Sequence, residues 1–156
     1  MIVIATKDEI GLVEKLGYKN EPILITGVGG VNVIRALDHL PRDTDILNIG
    51  YCGSNILKKD TIVYVDRVHT LHENVEFDEP NNFANGTYKL GYKCCDCYTS
   101  TDFVVETKIQ EPCVFDMELA FIRAMFPKAR AIKVVSDNLD VDAYERYTLE
   151  KLKKEK

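Results

Sequence analysis

The sequence lacks a long apolar run: none approaches the ~18 consecutive apolar residues that a membrane-spanning helix requires. The first ten residues, MIVIATKDEI, also lack the basic start and the cleavage site of a signal peptide. We therefore expect a cytoplasmic protein without a membrane partner.

An excess of basic residues is missing too. Asp and Glu outnumber Lys and Arg by 25 to 20, which gives a net charge of −5. Proteins that bind a nucleic-acid backbone by charge carry a basic surface. The sequence therefore predicts no nucleic-acid partner.

Cysteines are odd in number, five in all, and with no sign of export a disulfide framework is not expected. Cys94, Cys95 and Cys97, together with His69 and His72, have the residue types of a zinc site. Their spacing is not Cys-x-x-Cys, however, and adjacent residues of a strand point to opposite faces. We expect a cysteine-rich strand that packs in the core, and no metal site.

The chain does have enough apolar material for a core, since 46% of its 156 residues are hydrophobic. This length is typical of one domain, so residues 1–156 are predicted to form a single domain. Short apolar runs, typical of buried strands, alternate with segments of helical periodicity. This alternation predicts an α/β fold with a central mixed, mostly parallel sheet flanked by helices.

The predicted elements follow from that pattern. Buried strands are predicted at residues 2–5, 22–26, 45–49 and 131–135, a longer strand, parallel or antiparallel, at 61–71, and further strands at 88–98 and 103–105. Helices are predicted at 10–16, 31–39, 116–126 and 141–154, and a loop or lid at 73–86.

The residues that follow the predicted buried strands are small and polar. Glu9 follows the first strand, glycine turns at 27–32 and 50–54 follow the second and third, and Ser136 and Asp137 follow the last. In open α/β sheets ligands bind beyond the carboxyl ends of the strands, where glycines let the backbone approach them. The turn at 27–32 lacks both the third glycine of a dinucleotide fingerprint and the Lys-Ser/Thr pair of a P-loop, which disfavours both sites.

Six short motifs occur in order over nearly the whole chain. They are an acidic patch at Glu9, TGVG at 26–29 with Asn32, NIGYCG at 48–53, STDFV at 100–104, DME at 116–118 and VSDN at 135–138. This order resembles the nucleoside phosphorylase and nucleosidase superfamily, in particular its methylthioadenosine/S-adenosylhomocysteine nucleosidase branch. The resemblance implies a nucleoside phosphorylase-like fold and cleavage of the N-glycosidic bond of a purine nucleoside, of adenosine type or a 5′-thio derivative.

The resemblance also implies roles for single residues. Asp137 matches the general acid that protonates the purine at N7, and Glu9 matches the acid that orients the attacking water. Glu118 matches the carboxylate that binds the ribose hydroxyls, and Phe103 the aromatic side chain that stacks on the base. The other candidate substrate-binding residues are Met117, which would pack against the sugar, Val104, Ser136, Gly27, Gly29, Gly50 and Tyr51.

Three positions depart from the family pattern. Asn48 stands where bacterial hexameric phosphorylases place an arginine for phosphate, and loss of that bidentate donor favours water as the nucleophile. Tyr51 replaces a small residue, and Asp116 is a methylene shorter than the usual glutamate. The chain is also shorter than familiar members in the region between Leu71 and Tyr98.

Two alternatives to a nucleosidase stay open. A phosphorylase would take phosphate as co-substrate and hold it with backbone N–H groups of the turns at Gly27 and Gly50 and with Arg67. A catalytically degenerate relative would bind nucleosides without turnover, as a sensor or an assembly component. In all three cases the resemblance implies no metal or organic cofactor.

The candidate residues also have simpler structural explanations. Asp137 suits a helix N-cap, and Glu9 and Glu118 suit the acidic first turn of a helix. Phe103 and Met117 suit a hydrophobic core.

Members of the superfamily commonly complete each site with a residue from a neighbouring subunit. The resemblance therefore implies a homo-oligomer, a dimer or larger. The aromatic residues Tyr64, Phe77, Tyr88 and Tyr92 flank the shortened region and are predicted to form the interface.

Overall fold

A computed structural model describes residues 1–78 and 91–154 of the protein, and this part contains eight strands and four α-helices. The strands are β1 Ile2–Ile4, β2 Ile23–Ile25, β3 Leu47–Ser54, β4 Ile62–Thr70, β5 Glu76–Phe77, β6 Lys93–Thr99, β7 Val114–Asp116 and β8 Arg130–Asp137. The helices are α1 Ile10–Lys15, α2 Gly30–Leu37, α3 Leu119–Met125 and α4 Val141–Lys154, with a 3₁₀ turn at Lys7–Glu9. The predicted loop at 73–86 and the start of the strand at 88–98, including Tyr88, lie partly outside the described residues.

β1 shows why the first apolar run is continuous. Ile2 and Ile4 point to one face of the sheet and pack with Leu12 and Val13 of α1. Val3 points to the other face, where α2 and α3 cover it. Because helices cover both faces, every position of the strand is buried, as the α/β pattern predicts.

The strands form one mixed sheet that closes on itself. β1 pairs in parallel with β2 and β3, and β3 pairs in parallel with β8. The pairing continues from β8 antiparallel to β4, parallel to β6 and parallel to β7, and β7 returns antiparallel to β3. β5 adds a short antiparallel edge to β4. The α/β class and the mixed sheet are confirmed. The open sheet expected from the sequence is wrong, because five strands form a closed ring: β3, β8, β4, β6 and β7.

The ring closes because β3 bends near its end. Its register with β8 shifts between Cys52 and Gly53, and such a bulge bends a strand and increases its twist. Gly53 and Ser54 then pair with Phe115 and Val114 of β7. The prediction of a glycine turn at 50–54 is therefore wrong, since these residues continue the strand.

Two further predictions of local structure are wrong. The helix predicted from Asp116 begins at Leu119, and Asp116 instead ends the three-residue strand β7. Residues 103–105 form no strand and lie in an irregular segment. A three-residue strand is too short to show a period of two. Phe103 and Val104 line cavities, and Val105 is exposed.

β2 is less buried than its apolar sequence predicts. Among the described strands it pairs with β1 alone, so it forms an edge of the sheet. Its Ile23 and Ile25 are 36% and 40% exposed. Within the described ranges, no helix combines the length and the apolar character needed to cross a membrane.

Candidate active site

A cavity of about 190 Å³ opens beside the ends of β1, β3, β7 and β8. Six of the candidate catalytic and substrate-binding residues line this cavity: Glu9, Tyr51, Phe103, Met117, Glu118 and Asp137. Val104 lines a smaller neighbouring cavity of about 30 Å³ that shares Phe103 and Met117 with the first. Ser136, Gly27, Gly29 and Gly50 do not line either cavity.

Glu9 is placed by the 3₁₀ turn that follows β1. Its Oε1 accepts hydrogen bonds from the backbone N–H groups of Ala5, at 2.9 Å, and Thr6, at 3.1 Å, and its Oε2 accepts one from Tyr51 at 2.8 Å. The bond from Thr6 closes a capping box, so the simple structural explanation of Glu9 also holds. Burial raises the pKa of Glu9, although the charge of Lys133 and the backbone donors oppose that rise.

Gly50 leaves space for the carboxylate of Glu9 because it has no side chain. A Cβ at position 50 would lie 2.6 Å from Oε2 of Glu9, inside van der Waals contact. The glycine is therefore required for room and not for a turn.

Glu118 lies in the turn between β7 and α3. Its Oε2 accepts a hydrogen bond from the N–H of Gly29 at 2.8 Å, and the left-handed φ of 89° at Gly29 favours glycine there. Burial, with a smaller contribution from Asp116, raises the pKa of Glu118 to about 7, against the opposing charge of Lys133. Glu118 does not cap α3, because Asp116 Oδ2 accepts the N–H of Leu119 at 2.8 Å instead.

Asp137 is the last residue of β8 and is 0% exposed. Its Oδ1 accepts a hydrogen bond from the Ser136 hydroxyl at 2.8 Å, and its Oδ2 accepts one from the N–H of Leu139 at 2.9 Å. Burial raises the pKa of Asp137, although both hydrogen bonds oppose that rise. Asp140, and not Asp137, caps α4 by accepting the N–H of Ala143 at 3.2 Å, so the N-cap explanation of Asp137 is wrong.

Aromatic side chains form the other wall of the cavity. The ring of Phe103 lies 5.7 Å from that of Tyr144 on α4. Tyr51 contacts Tyr147 edge to face at 5.4 Å. Aromatic side chains and buried carboxylates in the lining of one cavity suit a ligand that carries both an aromatic ring and hydroxyl groups.

Sequence reasoning missed the ion pair beneath the cavity. Lys133 and Asp116 are 1% and 7% exposed, and Lys133 Nζ lies 3.0 Å from Asp116 Oδ2. Burial would raise the pKa of Asp116, but Lys133 and the hydroxyl of Thr99 outweigh it and hold that pKa below its usual value. Burial would likewise lower the pKa of Lys133, but Asp116 and the other nearby acids raise it. The signal in the sequence was a single lysine inside the apolar run 131–135, because a buried charge requires a partner.

Tyr144 was missed for a different reason. It lies in a polar terminal helix, and no local pattern marks it as a cavity residue. Only the packing of α4 against β8 brings it to the wall.

The phosphate cradle considered for a phosphorylase does not assemble in the described residues. Arg67 is 56% exposed, lies 3.5 Å from Glu76 and does not line the cavity. Gly50 lies within β3 and supports Glu9.

The cysteine-rich strand is β6, in which Cys97 is buried in the core and Cys94 is exposed. Across the described ranges, no three His, Cys, Asp or Glu side chains form a group able to hold a metal ion.

Comparison with known proteins supports the fold. No protein-family model and no curated protein sequence matches the chain. One similar solved structure is a variant of the 5′-methylthioadenosine/S-adenosylhomocysteine nucleosidase (MTAN) from Chlamydia trachomatis, bound to MTA. It is 17% identical, with a TM-score of 0.72 over 98% of this chain and 90% of that chain.

Two other solved structures are similar. The 5′-methylthioadenosine/S-adenosylhomocysteine nucleosidase from Helicobacter pylori, with butyl-thio-DADMe-Immucillin-A, is 15% identical with a TM-score of 0.67 over 98% of this chain and 95% of that chain. The S-adenosylhomocysteine nucleosidase from Streptococcus pyogenes, in complex with 5-methylthiotubericidin, is 15% identical with a TM-score of 0.72 over 96% and 89%. The chain thus has the fold of these nucleosidases, and the fold that the sequence resemblance implied is confirmed.

The raised pKa of Glu118 predicts a pH dependence of stability. Between its unfolded pKa of about 4.3 and its folded pKa of about 7, the folded state binds more protons than the unfolded state, so the free energy of unfolding should fall as pH rises through this window. Glu118→Gln removes the ionisable group, so the slope of the free energy of unfolding against pH should become shallower by up to about 1.4 kcal/mol per pH unit. Urea denaturation at pH 5, 6 and 7.5 measures both slopes. Parallel curves for the two proteins would contradict the assignment.

Proposed function

We propose that the protein hydrolyses the N-glycosidic bond of a purine nucleoside, of adenosine type or a 5′-thio derivative. The observation that carries this proposal is the convergence of Asp137, Glu118 and Glu9 on one cavity with an aromatic wall. The solved structures of the same fold support it, because they are nucleosidases solved with MTA, butyl-thio-DADMe-Immucillin-A or 5-methylthiotubericidin.

Asp137 is the proposed acid. A purine anion is a poor leaving group, and a proton delivered to N7 lets the base leave as a neutral molecule. General acid catalysis of this kind contributes about 10²–10⁴ in rate. The raised pKa of Asp137 favours the protonated form that this role requires. Gly53 leaves room at the acid, since a Cβ there would lie 3.2 Å from Oδ2.

Glu118 and Glu9 are assigned to the sugar and the water. Glu118 accepts hydrogen bonds from the ribose hydroxyls, and a carboxylate there also stabilises the positive charge that develops on the sugar. Glu9 is held by three backbone donors, two on Oε1 and one on Oε2, so Oε2 keeps a lone pair for a water molecule. Such a fixed carboxylate orients water toward the anomeric carbon.

Water is the proposed nucleophile because the described cavity wall contains no arginine or lysine. Asn48 does not replace the phosphate-binding arginine, since its buried side chain donates to the carbonyl of Val3 at 3.0 Å. Lys133 does not replace that arginine either, because it is paired with Asp116 and does not line the cavity.

The acid assignment predicts that Asp137→Asn lowers kcat/KM for purine release by at least about a hundredfold, because an amide has no acidic proton to give. The matched control is Asp140→Asn, three residues along the chain, where asparagine keeps the helix cap. Release of adenine from adenosine and from 5′-methylthioadenosine, followed by ultraviolet absorbance, measures both variants. Activity of Asp137→Asn within tenfold of the wild type would refute the acid role. Binding of adenosine by calorimetry without any purine release by the wild type would favour the degenerate nucleoside-binding protein.

The choice of nucleophile predicts that purine release is equally fast in phosphate-free buffer and in phosphate buffer. The sugar product should be free ribose, or its 5′-thio form, and not a sugar 1-phosphate. Chromatography of the products decides between the two reactions. Phosphate-dependent release would favour the phosphorylase.

We also propose a homo-oligomer, but through a different surface from the predicted aromatic one. Tyr64 is 4% exposed and packs in the core, so it is not available to a partner. The alternative surface consists of exposed apolar residues on and after the edge strand β2. One of them, Val28, is 47% exposed and also lines the cavity, so this surface adjoins the cavity. The other exposed apolar residues of this surface are Ile23, Ile25, Val31 and Ile34.

A second copy of the chain on this surface would cover an unpaired strand edge and the rim of the cavity. Val31 is 67% exposed, so Val31→Asp should dissociate the oligomer without unfolding the subunit. Sedimentation velocity measures the outcome. A wild-type protein that sediments as a stable monomer would contradict the proposal.

A further inference from the structure

Ser136 lies behind Asp137 and not on the cavity wall. It is 0% exposed, and it is absent from the lining of the cavity in which Asp137 takes part. Its hydroxyl oxygen lies 2.8 Å from Oδ1 of Asp137 and 3.2 Å from the carbonyl oxygen of Cys52. A buried hydroxyl in this position reaches the proposed acid but not a ligand.

The serine hydroxyl carries one proton and faces two acceptors. The closer acceptor is Asp137 Oδ1, and a hydrogen bond to a carboxylate is stronger than one to a neutral carbonyl. The bond from Ser136 therefore strengthens as Asp137 loses its proton. Leu139 holds the other oxygen, since its N–H donates to Oδ2 at 2.9 Å.

We propose that Ser136 is a positioning residue that sets the acidity of Asp137, by stabilising the carboxylate that forms as Asp137 gives its proton to the purine. This inference rests on the proposed function. In the step, the proton moves from Asp137 to N7, the electron pair of the broken C–N bond goes to the purine, and Asp137 becomes a carboxylate. Water bonds to the anomeric carbon of the sugar in place of the purine, and the proton that this water loses goes to Glu9. Ser136 keeps its own proton throughout and only donates a hydrogen bond to Oδ1.

Other titratable groups also face Asp137, and they are the same in the wild type and in a Ser136 variant. Asp140 and Tyr144 approach from the start of α4, and Cys52 approaches from β3. Glu9 and Glu118 line the same cavity. Any difference between the two proteins therefore reports the serine hydroxyl.

Ser136→Ala should raise the pKa of Asp137 by about one pH unit, because the ionised form loses a charge-assisted hydrogen bond. The alkaline limb of the pH profile of kcat/KM should move up by the same amount, and kcat should fall by up to about tenfold. Carbon-13 NMR of the labelled Asp137 carboxyl measures the pKa without depending on activity. Ser136→Thr keeps the hydroxyl, so both the pKa of Asp137 and the position of the alkaline limb should match the wild type.

Ser54→Ala is the matched control. Ser54 is equally buried and donates to the carbonyl of Cys113 at 2.7 Å, so its loss should lower stability and leave the pH profile unchanged. An Asp137 titration in Ser136→Ala that matches the wild type would overturn the inference. A wild type that releases no purine would count against the proposed function instead, and the NMR titration would still decide whether Ser136 sets the acidity of Asp137.

Discussion

The buried ion pair between Asp116 and Lys133 is the interaction on which the site depends. Asp116 ends β7, and its carboxylate accepts hydrogen bonds from Thr99 of β6 and from the first turn of α3 while it pairs with Lys133 of β8. One side chain thus joins three strands and a helix. Breaking such a pair leaves an uncompensated buried charge, which typically costs about 3–5 kcal/mol.

Burial, and not Lys133, decides the protonation of the two acids next to this pair. The charge of Lys133 opposes the pKa rise of Glu9 and of Glu118, but burial outweighs it at both. Asp116, its direct partner, is the acid whose pKa is lowered. Burial thus favours protonated acids in the cavity although Lys133 lies close to them, and cleavage of a glycosidic bond that is assisted by an acid requires a protonated group.

The alternation of longer strands and helices was predictable because an apolar run differs in period from a helix. The short strands β5 and β7 were not predicted, since two or three residues are too few to show a period. Glu9 and Asp137 were predictable as cavity residues from the ends of β1 and β8. Phe103, Met117 and Glu118 were expected there only from the resemblance to the nucleosidase family. Their roles remain predictions. The ring of strands was not predictable, since it depends on a bulge at Cys52 and Gly53 and on pairing between Ser54 and Val114, sixty residues apart in sequence. Gly50 was misinterpreted because a sequence does not reveal that a distant carboxylate occupies the space of its side chain.

The parallel pairing of β6 with β7 obliges the chain to run back the length of a strand between them. It does so through residues 100–113, which form no helix. Asn55 binds the carbonyls of Ile109 and Glu111 and the N–H of Cys113, so the later part of this crossover is tied to the end of β3. Phe103 belongs to the earlier part. Phe103 is therefore the part of the aromatic wall that is separable from the carboxylates, so that insertions or exchanges at 103–108 can reshape the space beside it while the carboxylates keep their geometry.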